Sequence, residues 1–378
     1  MNAELTEQQV LLRRTVREFA EGEIAPVAEA LDRESRFPYE IVAKLGELGL
    51  MGMPVPEELG GAGLDTLSYE IAIEELARVD SSVAITVAAH TSLGTMPIVM
   101  FGDDAQKARW VPRLASGQML GAFGLTEPDA GSDAGATRTR AEAQPDGGWV
   151  IDGSKMFITN AGTNITACVT ITALTDDDEI SNIIVPNGTP GYDISAPMKK
   201  LGWHASDTRE LSFKDCAVPE GNLLGPRGKG FHQFMEILDG GRISVASMGV
   251  GLAQGAYDLA FSYAKERQQF GRPIAKFQAV QFALADMATE IDAGRQLVYR
   301  AAWLKDHGKD FALAAAQAKL YTGLLSNRAV NAALQIHGGY GFIEEYEISR
   351  LYREQKILEI GEGTNEVQRM VIAKLLGV

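Results

Sequence analysis

A carboxylate near the end of the chain has the surroundings of a catalytic base. Glu362 lies between Gly361 and Gly363, directly after the mostly apolar stretch 357–360. Glycine on both sides lets the backbone turn sharply and lets a ligand approach closely. A carboxylate held at such a turn, against apolar residues, has a raised pKa and can accept a proton. The same residue could instead precede a helix and favour its dipole, and this stretch alone leaves both interpretations open.

Two earlier blocks have the composition of a ligand site. Residues 123–133 run from a predicted strand into a turn rich in Gly, Pro, Asp and Ser, whose N–H groups and hydroxyls could bind a carbonyl- or phosphate-rich ligand. Residues 149–160 combine aromatic, hydroxyl and amide side chains on and after a strand, where they could frame a flat ring. The alternatives are a plain strand-to-loop connection for the first block and a core with a cap for the second.

The sequence lacks the motifs of several other kinds of site. The glycines of Gly249-Val-Gly251 are followed by Gly255 out of register and no strand precedes them, which favours close helix packing over dinucleotide binding. There is no P-loop and no Gly-x-Ser-x-Gly. Two cysteines and five scattered histidines predict neither a disulfide framework nor a metal site.

Composition and charge limit the partners. The chain has 378 residues, of which 46% are hydrophobic, and a net charge of -15. This charge argues against nucleic acid or an anionic membrane surface as the main partner. We find no secretory signal and expect no stretch long and apolar enough to span a bilayer. These features predict a cytoplasmic protein.

The elements that must position these residues fall into three segments. Residues 1–118 have helical apolar spacing and begin with a capping box at 6–9. Residues 119–225 contain short β-branched runs separated by turn residues, which predicts a small antiparallel sheet with a hairpin tip at 176–179. Residues 226–378 are helical again, with a predicted break at Gly338-Gly-Tyr-Gly341. Helix, sheet and helix in one chain predict an α+β fold.

The motifs together resemble one family, the acyl-CoA dehydrogenases. The resemblance runs from about Leu5 to the C terminus and includes Glu-Arg-Gln-Gln-Phe-Gly at 266–271, Gln-Ile-His-Gly-Gly-Tyr-Gly at 335–341 and Leu-Asp-Gly-Gly-Arg at 238–242. It implies an N-terminal helical domain, a middle antiparallel β domain and a C-terminal four-helix bundle. It also implies tightly bound FAD, which would supply the hydride chemistry.

The implied reaction is α,β-dehydrogenation of an acyl-CoA thioester to the trans-2-enoyl-CoA. Glu362 would remove the α-proton while flavin N5 accepts the β-hydride. The thioester oxygen would be polarised by the backbone N–H of Glu362 and a flavin hydroxyl. In some members the base is the residue before the arginine of the Leu-Asp-x-x-Arg motif. Here that residue is Gly241, which cannot serve.

The resemblance also assigns ligand contacts. The flavin would contact the two blocks and the turn after the base, and a neighbouring subunit would hold the adenosine and pyrophosphate. The implied flavin contacts of the first kind are Phe123, Leu125, Thr126, Gly131, Ser132, Phe157, Thr159, Thr364 and Glu366. Those from the neighbouring subunit are Arg267, Gln268, Phe270, Gln278, Gln335, Ile336, Gly338 and Gly339. Phe123 replaces the tyrosine of some members and Phe157 a frequent tryptophan, so both positions keep an aromatic face.

Substrate, acceptor and assembly are also implied. The substrate-side residues would be Ser132, Asp239, Arg242 and Gly363, although Arg242 could equally form a buried structural ion pair. Gly361 replaces a tyrosine common in short- and medium-chain enzymes, so we expect room for α-branched or bulkier acyl groups, whereas the stretch 238–243 looks most like short-chain members. The resemblance implies an electron-transfer flavoprotein as acceptor and a homotetramer built as a dimer of dimers. The alternatives are a flavin oxidase on the same scaffold and a flavin-free binding homologue.

Overall fold

The predicted capping box begins the first helix. In the computed structural model, which describes residues 4–145 and 147–378, the Thr6 hydroxyl accepts the Gln9 N–H and the Gln9 side chain accepts the Thr6 N–H. Short π-helical segments at Ala20–Ile24 and Ala89–Thr95 join consecutive helices without a break. The helices of this segment are α1 Glu7–Phe19, α2 Ala25–Glu34, α3 Tyr39–Glu47, α4 Thr66–Val79, α5 Ser81–Ala88, α6 Met96–Phe101 and α7 Asp104–Ala115.

One expectation from the sequence was wrong. The continuous helical stretch Ser81–Phe101 has 21 residues and a mean hydropathy of 1.5, so it is long and apolar enough to cross a membrane. However, 72% of its most apolar stretch is buried inside the protein. A helix in a protein core meets the same criteria of length and composition as a membrane-spanning helix, because each is surrounded by apolar groups on all sides.

A mostly antiparallel sheet follows, as predicted. Its strands are β1 Leu120–Gly124, β2 Arg140–Ala143, β3 Trp149–Thr159, β4 Thr166–Asp176, β5 Glu179–Pro186, β6 Tyr192–Ile194, β7 Thr208–Val218 and β8 Leu223–Leu224. They lie in the order β6-β7-β3-β2-β4-β5-β8, with β1 also paired to β4. The predicted acidic hairpin tip is confirmed by the Asp176–Glu179 pairing of β4 and β5. Two pairings, β1 with β4 and β2 with β4, are parallel.

Long helices form the rest of the chain. They are α8 Gly230–Glu266, α9 Gln278–Asp306, α10 Ala312–His337, α11 Glu347–Glu354 and α12 Asn365–Leu376. A small hairpin, β9 Gln268–Gln269 and β10 Arg272–Pro273, lies between α8 and α9. Helices α8, α9 and α10 pack on one another, and α12 packs on α10. A tight 3-10 turn at Gly338–Phe342 ends α10 where the sequence predicted a break.

The two helical segments share one hydrophobic core. Helix α4 packs along α8, and a single cluster of buried side chains includes Ile71 from the first segment and Met248 from the second. Glycines on α8 allow the close approach, as predicted for Gly249 and Gly251. A Cβ at Gly251 would lie 2.1 Å from the Glu74 carbonyl oxygen.

A second glycine contact joins the first helical segment to the sheet. Gly94, in the π-helical segment, lies against Gly121 of β1 so closely that a Cβ on Gly94 would be 2.4 Å from the Gly121 carbonyl. The buried His90 ring holds the same junction, because its Nδ1 accepts the Gly121 N–H at 3.1 Å and its Nε2 lies 3.0 Å from the Leu114 carbonyl oxygen. Burial lowers the pKa of His90 to about 4, so the ring is neutral at pH 7.

Candidate active site

Glu362 sits in a strained turn with its carboxylate turned inward. Its φ of 54° is in the left-handed region, and Gly363 follows with a φ of 84°. The Glu362 Oε2 atom is buried and has no hydrogen-bond partner among the described residues. Burial raises the pKa of this carboxyl to about 7. A buried, unpartnered carboxylate that titrates near neutrality has the properties of a general base.

Gly241 of α8 lies directly opposite this carboxylate. A Cβ on Gly241 would be 3.1 Å from Glu362 Oε2 and 3.6 Å from the Leu93 side chain. The two positions that the resemblance names for the base therefore lie opposite each other. A side chain at position 241 would crowd Oε2, so the bare backbone of Gly241 lets the carboxylate occupy this place.

Two cations lower the pKa of Glu362 against the larger effect of burial. Arg242 is 2% exposed and forms an ion pair with Asp239, one turn earlier on α8. The second cation is Lys319, on α10. The expected alternative role of Arg242, a buried ion pair, is thus present in the structure. Its Nε is also buried without a partner among the described residues, so the guanidinium keeps one free donor.

The predicted flavin residues of the sheet lie together. The Met156 N–H donates to the Thr126 carbonyl oxygen at 2.8 Å, which places the end of β1 beside β3. Phe157 follows with a φ of 62° and a ring that is 65% exposed. A bulky residue in the left-handed region is rare and marks a constrained site. Thr159 is partly buried two residues further along β3.

An apolar cluster links this sheet region to Glu362. Phe123 packs with Phe234 and Ile237 of α8, and Leu93 and Leu125 border the same cluster. Because Leu93 also faces Gly241, the cluster connects the two predicted groups. The structure therefore brings the candidate base and the flavin block into one region.

A buried ion pair supports the flavin block. The fully buried Lys155 ammonium donates to Glu127 Oε1 at 2.7 Å and to the Leu125 carbonyl oxygen at 3.2 Å. Glu127 in turn accepts the backbone N–H groups of Arg138 and Thr139 at 2.7 and 3.1 Å. These contacts fix both ends of the loop that contains the exposed residues Gly131 and Ser132.

The residues assigned to a neighbouring subunit's cofactor form a separate group. Arg267 and residues 336–339 line a cavity of about 560 Å³ that contains none of the residues around Glu362. The Arg267 guanidinium lies over the Tyr340 ring, 5.2 Å from its centre. The other members of the group are exposed on this protomer: Gln268, Phe270, Gln278 and Gln335.

The remaining predicted residues surround the base. The Thr364 hydroxyl caps α12 by accepting the Val367 N–H at 3.2 Å, while Glu366 is exposed. Sequence reasoning missed Lys319, Gln368, Lys155 and Leu93. A lone lysine in the alanine-rich run 312–325 was a usable signal for Lys319, because a charge on an apolar helix face needs a partner.

These features fit FAD. The exposed ring of Phe157 beside Thr126 offers a face to a flat aromatic ligand, and Arg267 suits a phosphate. The unpartnered Glu362 Oε2 lies beside Gly241 and Leu93, and Leu93 borders the apolar cluster next to the flavin block.

Comparison with known proteins gives the family. Models of the acyl-CoA dehydrogenase N-terminal, middle and C-terminal domains match residues 6–118, 122–216 and 228–377. The probable acyl-CoA dehydrogenase YngJ of Bacillus subtilis (strain 168) is 52% identical over 379 residues, with 100% of both chains covered.

Two solved structures are similar to this chain along its whole length. Butyryl-CoA dehydrogenase from Megasphaera elsdenii has a TM-score of 0.97 and 43% identity, with 100% of both chains covered. A chain in a structure described as the electron transferring flavoprotein of Acidaminococcus fermentans has a TM-score of 0.97 and 45% identity, covering 100% of this chain and 99% of that one. The chain belongs to the acyl-CoA dehydrogenase family. It is an oxidoreductase, and like other members of the family it binds FAD.

Proposed function

We propose that the enzyme dehydrogenates short or α-branched acyl-CoA thioesters and that Glu362 is its base. The observation that carries this proposal is the buried, unpartnered Oε2 of Glu362 opposite the bare backbone of Gly241. A pKa of about 7 suits a base that works near neutral pH.

Each residue around the turn has a part in the proposed step. Bound FAD supplies the acceptor for the hydride that leaves the β-carbon. Glu362 Oε2 takes the α-proton, so the substrate loses a proton and a hydride in forming the double bond. The backbone N–H of Glu362 donates to the thioester oxygen as negative charge grows there. Asp239 and Arg242 lie on the same turn of α8 as Gly241 and would bind the substrate beside the base.

Glycines on both sides of the carboxylate support the short or branched acyl group. Gly361 precedes Glu362, and Gly241 faces it. A Cβ at Gly361 would meet only Ile357, so this glycine leaves width beside the α-carbon rather than length along the chain. The similarity to a butyryl-CoA dehydrogenase also supports a short chain.

The acceptor and the assembly are part of the proposal. The similarity to a chain described with an electron transferring flavoprotein supports such a protein as acceptor. The exposed group around Arg267 supports a homotetramer in which each protomer completes its neighbour's cofactor site. We place the enzyme in the cytoplasm. Oxygen consumption without an acceptor would favour the oxidase alternative.

The test is Glu362→Gln, which keeps the shape and removes the base. Turnover of butyryl-CoA should fall at least about a thousandfold, because both proton transfer and its positioning are lost. A second readout is independent of activity. The pKa of Glu362 is raised from 4.5 to about 7, so its protonation stabilises the fold fully below pH 4.5, and this is lost as pH rises through 7. Relative to wild type, the variant should gain up to about 3 kcal/mol of unfolding free energy over that range.

The exposed Glu58→Gln serves as the control and should change neither quantity. Retention of substantial turnover by Glu362→Gln, with FAD bound, would contradict the assignment of the base.

A further inference from the structure

Lys319 is a fully buried lysine whose ammonium is placed against the candidate base. It lies on α10 with no exposed surface, and its Nζ donates to the Gly363 carbonyl oxygen at 2.7 Å. It has no ion pair within 4.0 Å among the described residues. Burial of an ammonium that hydrogen-bonds to one backbone carbonyl, without a paired carboxylate, lowers the stability of the fold. Its presence therefore indicates a role other than stability.

The carbonyl that Lys319 holds belongs to the turn of the base. Gln368, also buried, donates to the carbonyl oxygens of both Glu362 and Gly363 at 3.0 Å. The Gly363 carbonyl therefore has two donors from different helices, α10 and α12. These bonds fix two successive residues in the left-handed region, at φ of 54° and 84°. The direction of the Glu362 side chain and of its N–H depends on this turn.

The charges that face Lys319 come from every element packed around it. The Glu362 and Glu359 carboxylates before α12 and Glu366 on α12 favour the charged ammonium, whereas Arg242 on α8 opposes it. Burial nevertheless has the largest effect and lowers the pKa of Lys319 to about 8. In the reverse direction, Arg242 and Lys319 are the two groups that favour ionised Glu362. Arg242 is already paired with Asp239, whereas Lys319 has no carboxylate of its own.

We propose that Lys319 is a positioning residue for Glu362, which holds the turn through the Gly363 carbonyl and keeps the carboxylate ionised through its charge. This inference rests on the proposed role of Glu362 as the base. The two parts of the role are separable, because the hydrogen bond needs only a donor whereas the electrostatic part needs a charge. Lys319 itself transfers no proton and touches no substrate.

The test compares Lys319→Met, which removes donor and charge, with Lys319→Gln, which keeps a donor. The acid limb of the kcat/KM pH profile reports the base of the free enzyme. Without the ammonium this limb should move to higher pH by about one unit in both variants. On the alkaline side, where the base is ionised, kcat should remain lower in Lys319→Met than in Lys319→Gln because the turn is no longer held.

A second readout does not depend on the reaction. Amide hydrogen exchange of the segment 358–370, measured by mass spectrometry on the FAD-loaded protein, should be faster in Lys319→Met than in Lys319→Gln. The matched control is Lys200→Met. Lys200 is a half-buried lysine whose pKa is also lowered to about 8, but it donates to Ser206 and Thr208 in the sheet region. This variant should leave both the acid limb and the exchange of 358–370 unchanged.

The outcomes separate this inference from the proposed function. An acid limb unmoved in both Lys319 variants, while Glu362→Gln abolishes turnover, would overturn the role of Lys319 and leave Glu362 as the base. Equal shifts in the Lys200 control would also overturn it, because the effect would then not depend on the position of Lys319. If Lys319→Met does not fold, the acid limb of Lys319→Gln alone decides the electrostatic part.

Discussion

At the scale of single residues, the site depends on a side chain in a backbone conformation that usually belongs to glycine. Glu362 has a φ of 54°, and such a conformation costs about 1 kcal/mol for a residue with a side chain. The hydrogen bonds from Lys319 and Gln368 to the same turn offset this strain. In this conformation Oε2 is turned inward against the bare backbone of Gly241, where the proposed reaction requires it.

The width of the pocket can be tested at Gly361. A Cβ there would lie 3.4 Å from the Ile357 carbonyl oxygen, an ordinary contact, so the turn accepts a side chain. Gly361→Tyr should place a ring beside the α-carbon and reduce the ratio of isobutyryl-CoA to butyryl-CoA turnover by about tenfold or more. The ratio follows from kcat/KM measured with each thioester.

Gly361→Ala provides the control for this change, because a methyl group alters the backbone preference but fills little of the pocket. It should shift the ratio far less. An unchanged ratio in Gly361→Tyr would mean that this glycine does not set the preference for branched chains.

At the scale of elements, the Glu127–Lys155 ion pair anchors the loop between β1 and β2 to strand β3. Lys155 lies on β3 and reaches the carbonyl of Leu125 as well as the carboxylate. The charge of Lys155, with several hydrogen bonds, holds the pKa of Glu127 down to about 2 despite its burial. The pair therefore sets the position of the predicted flavin contacts Leu125 and Thr126.

Removal of the Lys155 charge alone should destabilise the fold more than removal of the charges of both Lys155 and Glu127. Lys155→Met would leave an ionised Glu127 buried without its cation, which should lower the free energy of unfolding by about 3–5 kcal/mol. Urea unfolding and the amount of FAD retained after gel filtration would measure the effect. Glu127→Gln combined with Lys155→Met should recover part of the loss. A double variant as unstable as the single one would show that the pair contributes little beyond packing.

The sequence predicted the elements better than their contacts. The capping box, the acidic hairpin tip and the break after α10 follow from local residue types, and all three are confirmed. The parallel pairing of β1 with β4 was not predicted, because it depends on strands far apart in the chain. The error over Ser81–Phe101 has a similar cause, since hydropathy does not distinguish a membrane from a protein core.

In the candidate site, too, contacts between residues distant in the chain were harder to predict than the residues themselves. Glu362 and Gly241 could be predicted because each stands in a distinctive motif, and the structure places them opposite each other. The lone charge of Lys319 in an alanine-rich helix could be noticed in the sequence, but its partner could not be predicted, because it depends on how α10 packs against a turn much later in the chain. The assignments of individual cofactor and substrate contacts stay predictions.

At the scale of the whole molecule, two aromatic side chains near the Arg267 cavity in sequence are almost fully exposed. Phe270, at the tip of the β9–β10 hairpin, is 92% exposed and Phe342 is 86% exposed. Both lie close in sequence to residues that line the cavity with Arg267 and Tyr340. Exposed aromatic residues around a cavity indicate an interaction surface, and the proposed tetramer would cover it.

Phe270→Ser tests this surface. It should shift the protein toward smaller assemblies at low concentration and weaken FAD retention at the same time, because both depend on the same contact. Light scattering coupled to gel filtration would measure the mass and the flavin absorbance together. Leu48→Ser removes another exposed apolar side chain, 47% exposed at the end of α3, and should change neither. A tetramer that keeps its mass and its FAD in Phe270→Ser would contradict the prediction.

The contact between Gly94 and Gly121 limits how this scaffold can diversify. Backbone touches backbone there, with no side chain that could be exchanged for a longer or shorter one. Leu93, which faces Gly241, and Phe123, which leads into the flavin block, each lie close to this contact along the chain. A substitution at either glycine would push the Leu93 segment and the Phe123 segment apart. If acyl groups bind beside Glu362 as proposed, a change of specificity is therefore expected from side-chain exchanges at positions such as 93 and 361, while 94 and 121 stay glycine.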